Sequence, residues 1–235
     1  MRTWNASVAD PPVAALPDLP AVLGEASSVR PLDAAATAFV ASFAAGARGP
    51  VLWVQDRASR RAGGRLHEPG LRRAFRIEAP ILHVRAGHSR DALRAMEEGA
   101  SCAALGAVVG EVDGASPALD LTATKRLALR ARESGVAVWL IRVGPEGGLS
   151  AARMRWRLAA APSQVHPHDP DAPGVAVWTA ELFRAAGRAP GMWSLVHEPG
   201  HDIGQGAGAP DRLRVVPRAG DGPLAAEGGP AALAG

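Results

Sequence analysis

The residues with the most obvious chemical potential are His197-Glu198-Pro199-Gly200-His201, a literal HExxH. On a helix that spacing puts two imidazoles on one face for zinc, with the Glu between them as base. Pro199 and Gly200 stand in the middle, where a proline removes a helical hydrogen bond and a glycine weakens the turn further. The run also follows the strand-like Trp193-Ser194-Leu195-Val196, so it reads as the end of a strand and not as a metal centre. His166-Pro167-His168-Asp169-Pro170-Asp171 could also offer ligands, but two prolines in a short connection read as a solvated loop. No GxSxG elbow is present, and Cys102, the only cysteine, is expected as inert packing on a helix face. The GxGxG near Gly204 follows a strand without opening a helix, so it fails as a dinucleotide fingerprint. No catalytic residue, metal or cofactor is therefore assigned.

The elements that must carry any site follow from the rest of the chain. With 235 residues, 47% of them hydrophobic and 21% charged, the sequence fits one globular domain with irregular ends. Gly (27) and Pro (20) together stay below the level that marks low complexity, which excludes collagen-like and wholly disordered chains. A single cysteine forbids an internal disulfide. Lys125 is the only lysine, so every other one of the 26 basic residues is Arg. Against 23 acidic residues the net charge is only +3, and no block of like charge forms a nucleic-acid tail. Met1 to Gly24 has scattered prolines and no apolar core of a signal peptide, and no stretch approaches the roughly 18 apolar residues of a membrane span. A cytoplasmic protein is expected.

From Asp33 to Gly46, DAAATAFVASFAAG opens with an acidic residue suited to an N-cap and closes with a glycine, predicting a buried helix. Pro50 to Gln55 is a continuous apolar run, the pattern of a strand covered on both faces. Strands at Pro80–Val84, Leu105–Val112 and Val136–Val143 alternate with helices at Asp91–Cys102 and Pro117–Ser134. That alternation means βαβ crossovers and a mainly parallel sheet. Beyond Gly144 come Met154–Ala160, Val175–Ala185 and Met192–His197, the last two joined by a Gly/Pro turn, so antiparallel strands extend the sheet. GQGAGAP and DGPLAAEGGPAALAG have too little bulky apolar content, so residues 204–235 are expected to be a disordered tail, leaving 24–203 as the domain and 1–23 as an irregular N-terminal segment.

A phosphate-binding loop needs glycines, a lysine and a Ser or Thr between a strand and a helix. Laid on GxxxxGKT just before the first helix, the sequence gives Arg30 and Ala35 for the glycines, Ala36 for the lysine, and Thr37 where the hydroxyl belongs. The strand Ala107-Val108-Val109 ends in Gly110-Glu111 where an Asp would hold the metal water. Arg30, Ala35, Ala36, Thr37, Gly110 and Glu111 thus read as a degenerate nucleotide site in a RecA-like core.

Val51–Gln55, Gly64-Arg65-Leu66-His67-Glu68-Pro69-Gly70-Leu71, Glu97–Ala100, Ala107–Glu111, Leu119–Leu127 and Ser150–Arg157 follow one another in an order that resembles the ImuA family. The resemblance spans roughly residues 24–203 and implies an α/β fold: a RecA-like core with a mainly parallel sheet flanked by helices, extended by C-terminal antiparallel strands. It also implies a non-catalytic place in SOS-induced mutagenesis, beside ImuB and an error-prone replicative-type polymerase, with RecA filaments as a further contact. Alternatives are a division inhibitor similar to SulA that binds FtsZ, and a RecA-like ATPase with an atypical site.

Two basic stretches are candidate contacts. In Arg153-Met154-Arg155-Trp156-Arg157-Leu158 the arginines alternate with apolar residues, so on a strand Arg153, Arg155 and Arg157 share one face. That face is either a dock for acidic protein or DNA phosphate, or the charged edge of a sheet. Arg57 to Arg65 is expected as a flexible basic loop, serving solubility or single-stranded DNA. Trp53, Trp139 and Trp156 are expected in the core.

Overall fold

The structure is a computed structural model that describes residues 23–30, 32–144, 148–187, 189–198 and 212–216. Its elements run β1 (Leu23–Ser28), α1 (Ala35–Ala44), β2 (Val51–Gln55), α2 (Arg57–Gly63), α3 (Glu68–Phe75), β3 (Ile81–Arg85), α4 (Ser89–Ala100), β4 (Ala107–Asp113), α5 (Leu121–Ser134) and β5 (Ala137–Val143). Strands β6 (Met154–Ala161), β7 (Val177–Ala185), β8 (Gly191–Glu198) and β9 (Arg212–Val216) complete it. Among the described residues these strands form one nine-stranded sheet in the order β3-β2-β4-β5-β1-β6-β7-β8-β9. Pairing is parallel from β3 through β6 and antiparallel from β6 to β9.

Helices cover both faces of the central strands, and β2, β4 and β5 are buried on both. On one face the α1 side chain Phe39 meets Trp156 at 5.1 Å and Trp139 edge-on at 6.0 Å, over Ala26, Trp53, Val109 and Ile141. On the other, Leu93 and Met96 of α4 and Leu127 and Ala131 of α5 pack on Leu23, Val108, Val138 and Leu140. Helix α5 is framed by local chemistry: Asp120 accepts from the amide of Ala123 at 2.7 Å, and Gly135 closes the far end at φ 77.

The alternating core and the C-terminal hairpin lie where the sequence places them, and six features differ. Strand β1 carries no apolar run and went unrecognised, although Leu23 to Ser27 are buried. The segment from Arg57 is not a loop: Asp56 accepts from the amide of Ser59 at 2.6 Å and starts α2, whose last turn ends at Gly64. Helix α3 was also missed; a proline in its first turn fits there, where no amide partner is lost. Cys102 lies beyond the end of α4 and is exposed, so it is not core packing. Strand β6 is interior, between β1 and β7, which removes the sheet-edge reading of its arginines. Residues 212–216 pair with β8, so at those five positions the tail is a strand; 1–22 and the rest of 204–235 lie outside the described residues.

The HExxH histidine His197 stands on β8, its ring stacked on Trp178 at 5.7 Å and 4.7 Å from Phe75. His201 lies outside the described residues.

Candidate functional site

Parallel strands end together, and the crevice beyond their carboxyl ends is where α/β sheets place ligands. Here a cavity of about 730 Å³ opens between the ends of β1, β4 and β5, the start of α1, and residues from the end of α2 into α3. Of the degenerate nucleotide residues, Arg30, Thr37 and Glu111 line it. Ala35 and Ala36 are buried at the start of α1. Gly110 is turned to the opposite face, where a side chain would collide with Met96.

At the start of α1 the first helical amides have acceptors within the chain. In a phosphate-binding loop the first helical amides point at the ligand oxygens. Here Asp33 Oδ1 accepts from the amide of Ala35 at 2.8 Å, and Ser28 Oγ accepts from that of Ala36 at 3.2 Å. The Ser28 hydroxyl in turn donates to the Asp33 carbonyl at 2.6 Å. Asp33 Oδ2 takes the amide of Ala160 on β6 at 2.8 Å, tying the loop to the sheet. A phosphate would have to displace a carboxylate that already holds these donors and repels it. The N-cap position itself is Ala34, without a side-chain cap. Replacing Asp33 with Ala is expected to cost about 1–2 kcal/mol through the two amide bonds it loses, read as a lower urea midpoint; an unchanged midpoint would show the carboxylate is idle. Between them Leu32 adopts φ 61, a left-handed conformation that costs a leucine energy, with its side chain 81% exposed at the cavity mouth.

The opposite wall holds Glu111, nearly fully buried. Trp53 Nε1 donates to its Oε1 at 2.8 Å and Gln55 Nε2 to its Oε2 at 2.9 Å. Burial pushes the Glu111 carboxyl above its usual range, and these two donors offset that only in part. Both oxygens are engaged by side chains, so the carboxylate is held as structure. Gln55 uses its other contacts to fix the α2–α3 connection: Nε2 also reaches the Gly64 carbonyl at 3.2 Å, and Oε1 accepts from the Leu66 amide at 3.1 Å. The same oxygen lies 3.2 Å from His83 Nε2. His83 is held below the usual imidazole range by burial, with Arg85 and Arg60 adding to the effect.

No family model matches the chain. It is 33% identical over 189 residues to Protein ImuA of two Caulobacter vibrioides strains, NA1000 / CB15N and ATCC 19089 / CIP 103742 / CB 15, covering 76% of this chain and 70% of theirs. The chain belongs to the ImuA family. A crystal structure of the RadB recombinase superposes with a TM-score of 0.50 at 14% identity, over 77% of this chain and 89% of that one, which shows a RecA-like fold. Four of the six segments that carry the ImuA resemblance reach the cavity: Gly64, Leu66, Gly70 and Leu71 form one wall, and Gln55, Glu111 and Arg157 also line it, whereas Glu97–Ala100 and Leu119–Leu127 do not.

The arginines of the ImuA-family strand β6 behave differently from the sequence expectation. Period two holds, with Met154, Trp156 and Leu158 in one core and the arginines on the other side. Only Arg153 is exposed, and it lies one residue before β6. Arg155 is buried against Glu25 at 2.6 Å, and Arg157 pairs with Glu181 at 2.7 Å while lying 4.5 Å over the Phe183 ring. The three do not form an open cationic face, because β7 lies alongside and supplies Glu181 and Phe183. Residues whose place in the site the sequence did not show are Ser28, Trp53, Gln55 and Arg142; their partners lie 5 to 117 positions away. No helix among the described residues is long and apolar enough to cross a membrane.

Proposed function

We propose that this chain is a non-catalytic accessory of SOS-induced error-prone translesion DNA synthesis in the cytoplasm. It recruits an ImuB-like protein and an error-prone replicative-type polymerase complex, and RecA is a further contact. Membership of the ImuA family supports the pathway. The observation that carries the non-catalytic role is at α1: Ala36 stands where phosphate chemistry needs a lysine, and Asp33 and Ser28 occupy the amides that would hold the phosphates.

The test is the damage-induced mutation frequency of a strain lacking the protein. A collapse toward the uninduced level, restored by the wild-type chain, is the expected result. Undiminished induced mutagenesis would sink the reading and move division control to the front.

A further inference from the structure

The same cavity is remade for a different ligand, and its charges can be followed one by one. Of its two carboxylates, Asp33 is engaged by two amides and Glu111 by Trp53 and Gln55. Of its four arginines, Arg142 is paired with Glu25 and Arg157 with Glu181. Arg30 and Arg65, both exposed on the rim, have no acidic partner among the described residues. The floor between them is apolar, built from Leu66, Leu71, Ala74 and Ile141. At the mouth Val29 is 56% and Leu32 is 81% exposed, the latter in its left-handed backbone conformation. Apolar side chains left in water beside two unpaired guanidiniums mark a surface that a partner covers.

We propose that this cavity seats an acidic peptide segment of a partner protein, with an apolar side chain entering over Leu66 and Leu71 and flanking carboxylates meeting Arg30 and Arg65. The assignment deepens the recruitment reading and rests on it. Guanidiniums take carboxylate and phosphate alike, but a triphosphate also needs the α1 amides that Asp33 and Ser28 hold, which favours the carboxylates. The charge complement also sets the salt response: affinity falls as ionic strength rises, since both guanidiniums face solvent.

Fluorescence anisotropy on the full chain tests it with a fluorescein-labelled twelve-residue peptide alternating Asp and Leu. Comparison probes carry Asn for every Asp or Ser for every Leu, and a fluorescent ATP analogue with Mg²⁺ represents the nucleotide alternative. Saturable binding of the Asp/Leu peptide is expected, weakened tenfold or more by Arg30→Ala with Arg65→Ala, and by Leu32→Ser. Each comparison peptide should bind at least tenfold more weakly. These substitutions fall on exposed side chains, and an unchanged melting temperature confirms folding. No binding of the Asp/Leu peptide, binding indifferent to the variants, or binding of the ATP analogue in its place would overturn the proposal. The induced mutation frequency separates the two failures. If the wild-type and triple-variant chains restore it equally, the cavity proposal fails and recruitment stands; if loss of the protein has no effect, recruitment itself fails.

Discussion

Replacing Glu25 with Ala is expected to lower the unfolding free energy by about 3–5 kcal/mol, the usual effect of removing one partner from a buried ion pair. Glu25 sits at the middle of the sheet on β1, and its Oε1 lies 2.8 Å from Arg142 Nε and 2.6 Å from Arg155 Nη2. The Arg142 side chain is 0% exposed and that of Arg155 10%. Without the carboxylate, two guanidiniums on β5 and β6 face each other across a strand that cannot separate them. Arg157 and Glu181 provide the contrast. Their side chains are 34% and 35% exposed, so Arg157→Ala should cost no more than about 1 kcal/mol. Urea unfolding followed by tryptophan fluorescence measures both. A midpoint for the Glu25 variant no lower than for the Arg157 variant would show that the charged centre does not hold β5, β1 and β6 together.

The second large effect lies at Asp56, where β2, α2, α4 and β4 converge. Its carboxylate accepts from the Ser59 amide at 2.6 Å, the Ser89 hydroxyl at 2.6 Å and the Asp113 amide at 3.0 Å. Burial alone would raise its pKa, but these donors together outweigh burial and hold it below the ordinary value of 3.8. Losing the charge should cost about 3 kcal/mol at neutral pH, since bonds to a charged acceptor are among the stronger ones. The sign of the pH dependence follows. A carboxylate with a depressed folded pKa stabilises the fold above its unfolded pKa, and that contribution is lost as pH falls through the folded value. The stability gap between wild type and Asp56→Asn should therefore be largest at pH 7 and close below about pH 3.8. Glu111, whose folded pKa is raised, works the other way: its contribution declines as pH climbs from 4.5. A gap that is constant from pH 7 to pH 3 would contradict the role given to Asp56.

The contrast between these residues shows what a sequence carries. Pro50–Gln55, Leu105–Val112 and Val136–Val143 are legible because each contains Val-Leu-Trp-Val, Ala-Val-Val or Val-Ala-Val-Trp-Leu-Ile, the apolar run of a strand covered on both faces. Strand β1 fails that test, since Leu-Gly-Glu-Ala-Ser-Ser hides a buried charge whose partners are 117 and 130 residues away. Helix α2 fails it too, because its three arginines and one glycine look solvated until Asp56 caps them. At the site, Ala36 in place of a lysine and Asp33 as a helix-start acid were both legible. That Ser28 and Ala160 complete the closure was not, because the first is a turn across the β1–α1 loop and the second a contact over 127 residues. In β6 the alternation was read correctly and its surroundings were not, since only the pairing with β7 shows which arginines stay in water.

The central claim is that the chain serves induced mutagenesis through binding, with no nucleotide at α1. The most direct measurement is the damage-induced mutation frequency of the deletion strain carrying a Thr37→Ala version. Thr37 stands at the hydroxyl position when the sequence is laid on GxxxxGKT, and it lines the cavity with Asp33. Restoration to the wild-type level is the expected result. A folded Thr37→Ala chain that fails to restore mutagenesis would contradict the claim and return a working nucleotide to the start of α1.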